Sequence, residues 1–157
     1  MFIREKRCLV LFLFFSLIIS SCKSIPECIS KNSKMLTIKW GYTNSKLERD
    51  TTHSFMLTSD MKIYEVLNDE KNKLTSNKIN TLDEEKYCSI LKLTTNTMLK
   101  TQILNEPCNE CKFIELNNPN LNFNLKLKWN SKYIHSGTKL ASDLFDSLMA
   151  ITIPVKK

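Results

Sequence analysis

Glycine is almost missing from this chain: among 157 residues only Gly41 and Gly137 occur. Phosphate-cradling loops and dinucleotide fingerprints need glycines a few positions apart, so the sequence carries neither motif. Arginine is nearly as scarce, and beyond residue 7 only Arg49 remains. Nucleic-acid readers depend on the bidentate arginine fork for base and phosphate contacts, so no nucleic-acid partner is expected. Histidine is limited to His53 and His135, with no HExxH pair and no nucleophile elbow. A long apolar segment is lacking too. The run from Cys8 to Ile19 holds about a dozen residues, where a bilayer-crossing helix needs roughly 20.

What the chain does carry begins at its N-terminus. Arg4, Lys6 and Arg7 precede the apolar run, and Ile19-Ser20-Ser21-Cys22 closes it. A basic start, a short apolar stretch and a small-residue cleavage site mark a secretory leader rather than a membrane span. The last four residues resemble the lipobox of bacterial lipoprotein signal peptides: an aliphatic residue, two small residues and the cysteine that is lipidated. That resemblance implies removal of residues 1–21 and acylation of Cys22. Each buried methylene contributes about 0.8 kcal/mol, so two or three chains would form a stable anchor. The resemblance also implies a place. Lys23, not an aspartate, follows the cysteine, which points to the outer membrane, and Glu27 alone is too little acid to suggest surface export. A periplasm-facing protein of the cell envelope is expected.

The whole chain has a formal net charge of +7, and residues 22–157 keep 20 basic and 15 acidic side chains, a net of +5. That lysine-based excess, spread along an exported chain, suits a solvated face or a weak attraction to anionic headgroups or acidic envelope polymers. Asparagine is abundant, and its tolerance of the left-handed region lets it serve turns that glycine would otherwise fill.

Beyond Cys8 and Cys22 stand Cys28, Cys88, Cys108 and Cys111, which permit three connectivities in an oxidising compartment. Cys108-Asn-Glu-Cys111 follows Pro107 and reads as a turn. A four-residue turn brings its ends within about 7 Å, roughly the upper limit for a disulfide. A bridge there would leave Cys28 and Cys88 to pair or to remain free thiols. A redox reading of this C-x-x-C lacks the helix N-terminus that lowers a catalytic thiol's pKa, because Lys-Phe-Ile-Glu-Leu after it is strand-like. A zinc reading lacks a second close ligand pair. No metal or other cofactor is expected.

Residues 22–34 have no sustained period and read as a tether, reaching roughly 40 Å at about 3.3 Å per residue. Residues 35–157 then form one domain. Leu36, Ile38 and Trp40 alternate with polar residues, as do His53, Phe55 and Leu57, and Lys62 to Leu67 is β-prone, giving a three-stranded meander. Gly41 to Asp50 reads as a loop, and Asn68 to Asn80 as a connection without a core face. Thr81-Leu-Asp-Glu84 has the form of a capping box, opening a helix whose apolar side is Leu82, Tyr87, Ile90 and Leu91. The Thr94–Thr97 run leaves its end open, with 98–106 either helical or extended. Leu121, Phe123, Leu125, Leu127 and Trp129 mark one face of a strand, paired with Phe113 to Leu116 through a turn at 117–120. Leu140, Leu144, Leu148 and Ile151, widened by Ala141 and Phe145, recur at helical spacing up to Ile153-Pro154. The expected fold is α+β: an antiparallel sheet of about five strands, in the order βββ-α-ββ-α, with two helices on one face. Trp40-Gly41-Tyr42 and the segment from Trp129 to Leu148 are similar to parts of small envelope lipoproteins of unknown function.

For function, the expectation is a non-enzymatic interaction or structural module held to the membrane through Cys22, with an envelope protein or anionic polymer as partner. Its candidate surfaces are the sheet face around Lys126 and Lys128 and the 41–50 loop with Tyr42 and Arg49. A small-ligand-binding or inhibitor domain is the alternative, and it requires a concave pocket. A hydrolase built on His53 or His135 would need a base, an acid and a nucleophile brought together in space. His53 is in phase with Phe55 and Leu57 and is expected to be partly buried. His135 is expected to serve the turn into the last helix. Glu84 and Glu85 suit a helix N-terminus for electrostatic reasons alone. No catalytic residue is assigned.

Overall fold

Among the described residues six strands form one antiparallel sheet, and two helices lie along it. The computed structural model describes residues 28, 34–44, 51–68, 74–101, 104–133 and 135–153. The leader, Cys22, nearly all of the tether and Arg49 lie outside the described residues, as do positions 154–157. The elements are β1 (Thr37–Asn44), β2 (Thr51–Thr58), β3 (Lys62–Asn68), β4 (Leu74–Thr81), α1 (Glu84–Lys100), β5 (Glu110–Asn118), a 3-10 turn (Pro119–Leu121), β6 (Phe123–Asn130) and α2 (Ser136–Ala150). The order across the sheet is β4-β3-β2-β1-β5-β6. The α+β class holds, with one strand more than the hydropathy pattern suggests.

That extra strand is β4. Its Thr75, Ser76, Asn77 and Lys78 are all exposed, so it carries no apolar alternation for a pattern to detect. It forms because β3 offers a free edge, and it pairs through a register shift at Ile63/Tyr64. The first unit is therefore a four-stranded meander. Strand β1 also runs through Gly41 to Asn44, four residues into the expected loop, because β2 and β5 pair with it on both sides.

Helix α1 starts two residues later than the capping-box reading. Thr81 ends β4, and the N-cap is Asp83, whose carboxylate accepts from the Lys86 N–H at 2.8 Å. Glu84 and Glu85 in the first turn and Lys100 in the last complement the helix dipole. The threonine run does not stop the helix, because Thr94, Thr97 and Met98 are buried against the sheet and tertiary packing outweighs weak propensity. In α2 the buried stripe is Thr138, Ala141, Leu144, Phe145 and Leu148. Leu140 is exposed and falls outside it.

Both helices pack on the side of the sheet that carries Ile38, Trp40, Phe55, Leu57, Ile63, Ile114, Leu116, Leu127 and Trp129. Phe145 of α2 meets Trp129 edge-on with ring centroids 6.0 Å apart, and Tyr42 at 5.2 Å. The pairing of β5 with β6 puts Ile114 opposite Leu127 and Leu116 opposite Leu125. Strand β6 begins at Phe123, not Leu121, because Pro119 and a left-handed Asn122 turn the chain between the two strands.

Candidate interaction face

The alternate residues of each strand point away from the helices, and strand pairing arranges them in rows. One row runs across all six strands as Lys78, Tyr64, Met56, Lys39, Glu115 and Lys126. The next contains Ser76, Val66, Ser54, Gly41, Phe113 and Lys128. Strands lie about 4.8 Å apart, so Lys126 and Lys78 sit on the order of 10 and 14 Å to either side of Lys39. Lys62, also on this side, is paired with Asp60 at 2.5 Å, which pushes the Asp60 carboxyl below its ordinary range. Glu115 is the one carboxylate among these rows, and Lys126 approaches it at 3.8 Å. Lys126 also stands 5.6 Å over the buried Phe113 ring. Lys39, Lys78 and Lys128 are in no ion pair among the described residues.

Exposed large apolar side chains show the opposite distribution. Tyr42, Leu67 and Phe123 are in phase with the helix-covered side of their strands, and Leu93, Leu99 and Leu140 lie on the helices. No exposed large hydrophobic residue projects from the lysine rows among the described residues. The expected surfaces are therefore separated: Tyr42 packs on Phe145 under α2, while Lys126 and Lys128 stand on the far face. Lys39 was readable from its alternation with Ile38 and Trp40 but was not assigned to the surface. Lys78 was hidden because its strand has no apolar face.

The sulfurs join Cys28 to Cys88 and Cys108 to Cys111, with Cα separations of 5.5 and 5.7 Å. The first bridge ties the N-terminal chain to α1. The second closes the turn into β5. Just before it, residues 104–106 run along the outer edge of β6, where the Lys128 N–H donates to Leu104 O at 3.0 Å and the Glu106 N–H to Lys128 O at 2.9 Å. One edge of the sheet is thus covered by the protein's own backbone, and such cover suppresses unwanted strand pairing.

Each histidine meets a carboxylate. His53 Nε2 is 2.8 Å from Glu65 and His135 Nε2 is 3.0 Å from Glu106. His53 is in phase with Phe55 as expected, and its side chain is half-buried, at 49% exposure. Near the start of β2 it borders Phe55 at 5.1 Å and turns toward Glu65 and solvent. The His135 N–H donates to Thr138 Oγ1 at 2.8 Å at the start of α2. Glu106 is held below the ordinary carboxylate range by His135 and by the Asn130 N–H.

Inside the core, Trp40 Nε1, Trp129 Nε1 and Thr94 Oγ1 have no hydrogen-bond partner among the described residues. Each such group costs about 1–3 kcal/mol in lost hydration, a penalty that the packing of two fully buried indoles offsets. Among the described residues no three His, Cys, Asp or Glu side chains are placed to hold a metal, and no helix is long and apolar enough to cross a membrane. No protein-family model matches this chain, and no curated protein matches it.

Proposed function

We propose that this chain is a lipid-anchored module of the bacterial cell envelope, held at Cys22 on the periplasmic side of the outer membrane, that works by binding an acidic partner. The observation that carries the reading is the lysine face. Among the described residues Lys39, Lys78 and Lys128 are in no ion pair, Lys126 shares the only carboxylate in the rows, and the large apolar side chains between them, Met56 and Tyr64, are only partly exposed. A folded chain gains nothing in stability from aligned, unpaired like charges. Their value lies in attracting an opposite charge from outside. The helix-covered side differs, since Lys112 there pairs with Asp146 at 3.7 Å.

Two measurements test the two halves of this proposal. Cys22→Ala should abolish metabolic labelling with palmitate, and a variant that still takes label would end the anchor. Lys126→Glu/Lys128→Glu should weaken capture of the envelope partner by about tenfold or more, given roughly 1 kcal/mol for each lysine near an anionic surface. Unchanged capture would remove the lysine face from the function.

A further inference from the structure

Leu104, Asn105 and Glu106 form a short strap along the outer edge of β6. Asn105 lies opposite Lys128 in a parallel bridge, and the strap's backbone takes up both the N–H and the carbonyl of Lys128. Its two ends are held differently. Leu104 is buried in the core and its N–H donates to Thr101 O at 3.1 Å, so the end of α1 fixes that side. At the other end Pro107 has no N–H to donate, and the chain turns at once into Cys108. There the Glu106 carboxylate is shared between the Asn130 N–H and His135, a contact open to solvent and therefore weak. Behind it stands the Cys108–Cys111 bridge. Cys108 Sγ lies 3.5 Å from the Glu106 carbonyl oxygen, and Cys111 is the register partner of Asn130. The bridge thus fastens the strap to β5 at the level where the carboxylate meets β6.

The two cysteines differ in access. Cys108 is partly exposed, whereas Cys111 is 1% exposed, and neither belongs to the core cluster between sheet and helices. A thiolate from outside can reach Cys108 without the core opening. We infer that Cys108–Cys111 is a redox latch on the sheet edge: oxidised, it keeps the strap on β6, and reduced, it lets the strap lift away. The reductant is an external dithiol. One of its thiolates attacks Cys108 Sγ, the Cys108–Cys111 bond breaks, and Cys111 leaves as a thiolate that takes up a proton. The second thiol of the reductant then displaces Cys108 from the mixed disulfide. Two electrons and two protons pass to the cysteines, and the reductant ends as a disulfide. No helix N-terminus is required, because the attacking thiolate belongs to the reductant. With the strap lifted, the Lys128 N–H and carbonyl and the Asn130 N–H face outward, the kind of groups by which an edge strand accepts another. This inference depends on neither the anchor nor the lysine face.

Amide exchange followed by NMR on the full chain reads the latch at its two donors, Glu106 and Lys128. Cys108→Ser/Cys111→Ser should raise exchange at both by about tenfold or more, the loop-closure contribution of a four-residue bridge. Leu127 and Trp129 alternate with Lys128 and bond to β5, so their exchange should not change. Dithiothreitol added to the unaltered chain, with alkylation and mass mapping, should open Cys108 and Cys111 to label while the Trp129 amide stays protected. Reoxidation should restore protection at Lys128. Unchanged exchange at Glu106 and Lys128 in the serine variant would overturn the latch. So would a rise shared equally by Leu127 and Trp129, which marks general loosening, or label entering Cys108 and Cys111 only after Trp129 has lost protection. If the serine variant does not fold, the dithiothreitol experiment on the unaltered chain decides by the same two readouts.

Discussion

The two faces of the sheet are made from alternate residues of the same six strands, yet they answer to different physics. On the helix-covered face, Trp40, Ile114, Leu127 and Trp129 are fully or almost fully buried, and the identity of each position is fixed by volume. On the other face lysine, serine, threonine and asparagine prevail, and position is fixed mainly by register. The lysine face nevertheless contains buried groups. Phe113 is 4% exposed, Val66 7% and Ser54 0%, in one row with Gly41. The contrast teaches that the open side is a charged margin around a narrow packed seam. Its margin is free to serve binding, while its seam is not.

The sharpest way to break this contrast uses neighbours in sequence. Trp129→Ala should destabilise the domain by about 3–5 kcal/mol, read from the midpoint of urea unfolding with both disulfides intact. Lys128→Ala, one residue away and on the other face, should stay within about 0.5 kcal/mol. A large loss at Lys128 would make the lysine rows structural and deprive them of a functional explanation.

A smaller effect is expected at the seam. A Cβ on Gly41 would lie 2.2 Å from the His53 carbonyl oxygen and 2.7 Å from Ser54 Cα, both backbone atoms that cannot rotate aside. Its φ is not positive, so the requirement is space rather than backbone freedom. Gly41→Ala should therefore cost roughly 2–3 kcal/mol by forcing β2 away from β1. Gly137 is its control: the nearest contact for a Cβ is 3.4 Å, to a His135 ring atom, and Gly137→Ala should be neutral or stabilising by up to about 1 kcal/mol. Equal effects at both positions would refute a close approach of β2 to β1 at this point of the seam.

How far these features were legible follows from the same distinction. Wherever one face is apolar, alternation is readable, as along Phe123 to Trp129 and Ile38 to Trp40. Strand β4 escaped because the open edge of a sheet needs no apolar face, only a neighbour's hydrogen bonds. The helix start at Asp83 escaped because Thr81 and Glu84 satisfy the capping-box spacing equally well, and pairing of Thr81 with Lys62 decides against it. The lysine rows escaped for a third reason. Lys39, Lys78 and Lys126 are 39 and 48 positions apart in the chain and become neighbours only through the β4-β3-β2-β1-β5-β6 order. The crossover that inserts β5 beside β1 is a property of topology and leaves no local trace.

The smallest effect lies where the two faces meet, at the end of β6. There Glu106 receives the Asn130 N–H at 3.3 Å and faces His135 at 3.0 Å, joining the edge-covering segment to the start of α2. These partners hold the Glu106 carboxyl below its ordinary 4.5, so the folded chain binds that proton less tightly than the unfolded chain does. The stabilisation is therefore fully present above the unfolded value and disappears as pH falls through the lowered folded value. Asp60 titrates in the same direction but is common to both proteins being compared, so it subtracts out. Glu106→Gln should lower the urea midpoint slightly at neutral pH, by well under about 1 kcal/mol because the pair is solvent-screened. The gap from the unaltered chain should close as pH falls below the ordinary carboxylate value. A gap constant from neutral to acid pH would show that the glutamine lost packing or a neutral hydrogen bond. The edge segment would then be held by backbone pairing to β6 alone, and the two faces would not be electrostatically joined at that end.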